Sequence, residues 1–206
     1  MVIAKGERFN TYTHLVGAIG ALIGMITLII VASLDGNVYK IVSVSIYGAT
    51  LFILYSASTL YHGISGDLKT FFQRLDFLAI YLLIAGSYTP FTLVTLHGTW
   101  GWSIFSIIWI LAIIGIVQEF FLQENRTTSV VLYILMGWMV LVALNPLLDS
   151  LQPAGFWWLL AGGILYTVGV IFYVFDTKVP HFHGIWHIFV LAGSTAHYIT
   201  IAFFVL

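Results

Sequence analysis

Cysteine is absent, and lysine, arginine, aspartate and glutamate together make up only 7% of the chain. The first absence excludes disulfides and thiolate metal ligands, so any metal must be held by nitrogen and oxygen, and it leaves the redox compartment unreadable. The second, beside a hydrophobic content of 61% and a mean hydropathy of +1.05, describes an integral membrane protein. No basic patch with exposed aromatics is available to meet a nucleic acid, and no repeat or low-complexity segment stands out. Alternation of apolar and polar residues is also missing. The apolar runs are longer than the ~10 residues of a barrel strand, which disfavours a porin-like barrel.

What is present is a series of apolar runs between charges: Phe9 to Leu34, Ile41 to Gly66, Phe77 to Gln118, Thr127 to Leu148, Ser150 to Phe175 and Val179 to Leu206. A helix needs roughly 20 apolar residues to cross the hydrocarbon, and the third run holds two such lengths. Leu96-His97-Gly98-Thr99-Trp100-Gly101-Trp102 supplies the turn and interfacial tryptophans between them. The expectation is a single all-α domain over residues 1–206, a bundle of seven transmembrane helices near 11–33, 41–62, 74–96, 102–122, 127–148, 155–175 and 182–205. Met1 to Asn10 leads into a full-length span with no small-residue cleavage site, so the first helix is expected to stay in the mature, multi-pass cell-membrane protein. Of the seven Lys and Arg residues, Lys5, Arg8, Lys69, Arg74, Arg126 and Lys178 fall at the N-terminal side of the bundle and only Lys40 at the other. The positive-inside rule then puts the N-terminus in the cytoplasm and Leu206 outside.

Against this background a few polar residues are out of place. Ser58 and His62 stand four apart at the end of the second span, Asp76 opens the third, and His183 and His187 stand four apart at the start of the last. The alternating topology brings all of them to one membrane level. Positions four apart share a helix face, so His183 and His187 can point at one ion and His62 can complete three nitrogens. Three protein ligands with an open fourth position describe a catalytic zinc site, whereas a structural site is closed by four. Asp76 would orient a histidine, ligate directly or through water, or take a proton from bound water; Ser58, one turn deeper than His62, would bond a ligand, that water or a substrate carbonyl. The bland alternatives are interhelical hydrogen bonds by the histidines and an N-cap by Asp76. Nitrogen-rich ligation suits zinc but also copper, nickel or iron.

Other polar positions have two readings each. Glu7, Asn10 and His14 form one stripe at the level of the cluster and line its cavity, or else Asn10 caps the helix and Glu7 is solvated. His197 lies roughly 15 Å beyond His187, too deep for the same ion, and is expected to bond another helix or line a lipid pocket. His97 and His181 read as solvated surface residues, and Glu119 and Glu124 as interfacial charges. Pro90 predicts a kink in the third helix, with Ser87 or Thr89 meeting the freed carbonyl of Gly86. Gly20-x-x-x-Gly24 reads as a packing face, with a homodimer through it as the second expectation.

Taken together, Glu7-x-x-Asn10 with Thr13-His14, Ser58-x-x-x-His62, Leu75-Asp76 with Gly86-Ser87-Tyr88-Thr89-Pro90, and His183-x-x-x-His187 resemble the hemolysin III branch of the progestin and adiponectin receptor family. The motifs run in the expected order over nearly the whole chain. The resemblance implies a seven-helix bundle and zinc held by His62, His183 and His187, with Ser58 and Asp76 close by. Its relatives include receptors, ceramidase-like lipid amidases and proteins named for red-cell lysis. Three functions are therefore in play. The first is a zinc-dependent hydrolase of a membrane-lipid amide or ester; the second is a non-enzymatic protein, either a cytolysin or pore-former or a receptor-like sensor of lipid state. The third, a transporter, is weaker because no inverted repeat is evident.

Overall fold

A computed structural model describes residues 5–122 and 126–206. Seven helices are long and apolar enough to cross a membrane: α1 (Arg8–Asp35), α2 (Val38–Gly63), α3 (Leu68–Leu96), α4 (Gly98–Phe121), α5 (Arg126–Ser150), α6 (Pro153–Phe175) and α7 (Phe182–Val205). There is no strand among the described residues. In hydrocarbon every backbone N–H and C=O must bond within its own segment, which is why long apolar runs become helices. Helices consecutive in sequence pack side by side, and α7 closes back on α1. Its helices make the chain a multi-pass membrane protein. Glu124 lies outside the described residues.

Short, well-capped turns set the register. Gly36, at φ 74°, ends α1 by giving its N–H to Ala32 and Ser33, and the Asn37 side chain then caps α2 by accepting from Tyr39 and Lys40. Only two residues separate the pair. At the opposite end, α3 begins at Leu68 rather than near 74 because the first-turn Lys69 does not need to leave the protein surface. Its ammonium reaches the Tyr61 carbonyl and the Glu7 carboxylate. Asp76 consequently sits more than two turns inside α3, ruling out the N-cap reading.

Three helices are irregular in the half of the bundle away from Glu7, the end of α7 among them, where Ile201–Val205 form π turns. After Pro90 the backbone of α3 widens into π turns from Phe91 to Leu96. The neighbouring hydroxyls bond other carbonyls than the one expected, Thr89 bonding Ala85 and Ser87 bonding Ile84. The turn to α4 is made by His97 and Gly98, both at positive φ; His97 is exposed there, as expected, and its Nδ1 bonds the Leu93 carbonyl. In α5 the α-helix stops at Gly137, tightens to a 3-10 stretch over Met139–Ala143 and resumes at Leu144. The Tyr88 hydroxyl bridges this break, donating to Gly137 O at 2.8 Å and accepting from Val140 N at 2.9 Å.

Glycines admit the closest side chains. Gly17 accommodates Tyr55 and Leu191, and Gly24 accommodates Tyr198, whereas Gly20 faces outward with open space around it. The packing face on α1 is therefore Gly17 with Gly24, one heptad apart, and not the Gly20-x-x-x-Gly24 pair.

Candidate metal centre

His62 lies in the last turn of α2, and His183 and His187 occupy one face of the first turns of α7. One nitrogen from each lies within 4.8 Å of the others. His62 and His187 are buried and His183 is part-exposed.

The opposite nitrogen of each ring is already engaged. His62 Nδ1 bonds Glu7 Oε2 at 2.6 Å, His183 Nδ1 bonds Asp176 Oδ2 at 2.6 Å, and His187 Nδ1 meets Thr13 Oγ1 at 3.2 Å. A carboxylate accepts only, so the first two contacts put the proton on Nδ1 and leave Nε2 as a lone pair. Thr13 already donates to the Phe9 and Asn10 carbonyls, so it too is an acceptor for His187. Hydrogen bonds of this kind are what fix the tautomer of a metal-binding histidine. The two lone pairs on His62 Nε2 and His183 Nε2 then face each other at 3.2 Å. Neutral rings so arranged repel, and a shared cation removes the repulsion. Two imidazoles on a tetrahedral zinc at ~2.0–2.1 Å are separated by about 3.3 Å, so the His62–His183 pair has the spacing of such an ion's ligands, with His187 as the third nitrogen of the group.

The carboxylates are themselves anchored. Glu7 also accepts from Lys69 Nζ at 3.3 Å and from Asn10 at 3.2 Å. The His62 hydrogen bond does most to hold its pKa down to about 2, so Glu7 is ionised and able to accept the histidine proton near neutral pH. Asp176 takes a two-point ion pair from Arg126. Burial alone would raise the Asp176 pKa, but the hydrogen bonds from Arg126 and His183 outweigh it and the net shift is downward.

Beside the histidines opens an apolar chamber with Ser58, Asp76, His183 and His187 in its wall. Asp76 is only half-buried by surface area although it lies deep in the protein, because the area it exposes faces this chamber. The Ser58 hydroxyl is buried with no hydrogen-bond partner within normal distance. A second apolar chamber adjoins the first, sharing Tyr88, Gly137, Trp138, Gly163 and His197 in its lining. Two clefts with charged residues in their walls approach the centre from the Glu7 end, one lined in part by Glu7, Tyr61 and His62 and the other in part by Gln73, Glu119 and Arg126; both reach His183.

The fold thus gathers Ser58, His62, Asp76, His183 and His187 at one end of the bundle. The stripe of Glu7, Asn10 and His14 faces the cluster; Asn10 is no cap, since α1 begins at Arg8. His197 lines both chambers and its Nε2 bonds the Leu159 carbonyl of α6 at 3.3 Å. Glu119 is paired with Ser129. None of the three histidines bonds Asp76; the orienting partners are Glu7, Asp176 and Thr13. Thr13, Arg126 and Asp176 carry roles that spacing alone does not show. A usable signal existed for Asp176, a carboxylate seven residues before His183 at the same membrane level, because metal-binding histidines commonly donate to carboxylates.

Comparison with known proteins bears on the whole chain. The family model described as Haemolysin-III related matches residues 3–198. Hemolysin-3 of Bacillus cereus is 47% identical over 204 residues, covering 98% of this chain and 93% of that one. The Hemolysin-3 homolog of Bacillus subtilis (strain 168) is 43% identical over 206 residues, at 99% and 96% coverage. The human monocyte to macrophage differentiation factor is 30% identical over 202 residues, at 93% and 81% coverage. With the family model matching residues 3–198 and the Bacillus relatives covered at 93% and 96% of their length, the chain belongs to the haemolysin-III related family, the hemolysin III branch of the progestin and adiponectin receptor family.

Proposed function

We propose that this protein is a zinc-dependent hydrolase of an amide or ester bond in a membrane lipid, ceramidase-like in its chemistry. The observation that carries the reading is the pair of facing Nε2 atoms at 3.2 Å, each ring pinned through Nδ1 by a carboxylate, with one of the two rings, His183, in the wall of an apolar chamber. Zinc bound by His62, His183 and His187 supplies an activated water near neutral pH and polarises a carbonyl. Asp76 accepts the proton of the attacking water from its place in the chamber wall. Ser58, whose hydroxyl has no other partner, donates to the carbonyl oxygen as charge builds on it. Water oxygen adds to the carbonyl carbon, the C–N or C–O bond breaks, and the proton held by Asp76 passes to the departing nitrogen or oxygen.

The two adjoining chambers offer an apolar path for a lipid chain, while the clefts beside His183 offer a path for water and a polar product. A cytoplasmic N-terminus, as the Lys and Arg distribution indicates, sets this chemistry at the inner leaflet.

The test couples elemental analysis of purified protein to turnover of a panel of ceramide, acyl-amide and phospholipid. Stoichiometric zinc with turnover, both lost in His187→Ala, supports the reading; zinc without turnover of any member counts against it and favours a sensor of lipid state. The name of the Bacillus cereus relative raises membrane lysis as a second reading. Leakage of liposomes by purified protein that persists after zinc removal supports that reading, because hydrolysis would stop with the metal.

A further inference from the structure

His14 is 3% exposed, and its ring lies flat against His187, with centroids 3.5 Å apart and planes 10° from parallel. Its edge meets Tyr55 at 5.0 Å. Neither ring nitrogen has a hydrogen-bond partner. The contrast with its neighbours is sharp, since each of the three clustered histidines has its Nδ1 engaged, and His14 stands outside their set. A neutral imidazole carries one N–H to give and one lone pair to fill, and native structures rarely leave such groups both buried and unmet. His14 also forms part of the chamber wall that holds Ser58 and Asp76.

We propose that His14 is the residue that recognises the polar group of the lipid beside the scissile carbonyl, a role that rests on reading the chamber as the lipid site. It needs a partner that both accepts and donates. An amide meets both needs, whereas an ester offers acceptors alone and leaves the imidazole lone pair unfilled. His14 thereby selects lipids presenting an N–H over their ester counterparts. Its neutral ring acts by hydrogen bonding, and the flat contact with His187 holds it in place next to the metal ligands.

The probes are N-ethyl palmitamide and ethyl palmitate, which differ only in N–H against O. Binding to zinc-loaded protein in detergent is read from tryptophan fluorescence, since Trp138 and Trp186 line the chamber, with turnover and zinc content followed in parallel. Wild type should bind the amide about tenfold or more tighter than the ester. His14→Phe keeps the ring stacked on His187 and should bring the ratio close to one with zinc retained, while His14→Gln, which restores a donor and an acceptor, should recover several-fold preference. Equal binding of the two probes by wild type overturns the proposal. So does an undiminished preference in His14→Phe, which reduces His14 to a stacking partner of His187. If His14→Phe does not fold, the wild-type ratio and His14→Gln decide. A preserved binding ratio without turnover removes the hydrolase reading and leaves this assignment standing; turnover without a ratio does the reverse.

Discussion

Arg126 and Asp176 meet in a two-point ion pair, Nη1 to Oδ1 and Nη2 to Oδ2, both at 2.9 Å, and the second oxygen also accepts His183 Nδ1. The guanidinium lies over the Tyr173 ring, 3.7 Å from its centroid. A basic residue at the start of α5 thus fixes, through one carboxylate, the orientation of the His183 ring on α7. Lys69 of α3 and Glu7, just before α1, do the same for His62.

Removing such a partner leaves the ligand in place but frees its ring. Asp176→Ala should weaken zinc binding by about 10- to 100-fold, the range found when a hydrogen-bonded partner of a metal histidine is lost. Glu7→Gln should act on His62 in the same direction, and because the two partners serve different rings the effects should multiply in the double variant. Competition against a chelator of known affinity measures this directly. Unchanged affinity in both single variants would show that neither carboxylate positions a ligand.

Metal removal should be visible in stability as well as binding. Three ligands on two helices make the ion a clip between the end of α2 and the start of α7, so bound zinc stabilises the folded state by mass action, about 2.7 kcal/mol at a free concentration 100 times Kd. Thermal unfolding in detergent should move upward with added zinc and downward with chelator in wild type. His187→Ala should show no such movement, and an equal zinc response in that variant would place the metal elsewhere.

The helices and the grouping of the three histidines were readable in one dimension for the same physical reason: a bilayer makes charge and histidine rare, so each one that remains carries information. His62, Asp76 and His183 with His187 could be assigned to one level from topology alone. The start of α3 was missed because Lys69 and Arg74 look like loop charges until the Glu7 carboxylate and the Tyr61 carbonyl are seen within reach of Lys69. Asp176 was missed because it reads as one more charge in a turn. Its role depends on Arg126, fifty residues away, and no local pattern encodes that pairing. The break in α5 was equally hidden, since the Tyr88 hydroxyl that permits it belongs to another helix.

That hydroxyl makes a clean test. Tyr88→Phe removes one oxygen and leaves Gly137 O and Val140 N without a partner in an apolar region between the two chambers. Each unmet backbone group costs about 1–3 kcal/mol, so the variant should be less stable by at least that amount, with zinc stoichiometry intact because the centre lies at the other end of the bundle. Reversible unfolding in mixed micelles compares the two proteins. A difference below about 0.5 kcal/mol would mean that α5 closes its own break when the tyrosine is lost.

Gly86 tests the packing of the two most buried helices against each other. A Cβ there would come within 2.0 Å of Thr50 Oγ1 and 2.9 Å of Thr50 Cβ, and Thr50 is itself fixed by its hydrogen bond to the Tyr47 carbonyl. The Thr50 side chain cannot yield by a rotamer change alone, because its Cβ is also too close. Gly86→Ala must therefore push α2 from α3, and overpacking of this kind costs typically about 1–3 kcal/mol. Because the same two helices carry His62 and Asp76, the variant should lose thermal stability and shift zinc affinity together. Thr50→Ala should recover much of both in the double variant, since it removes Oγ1, the nearer of the two clashing atoms. Failure of that rescue would locate the strain in the α3 backbone near Pro90 instead.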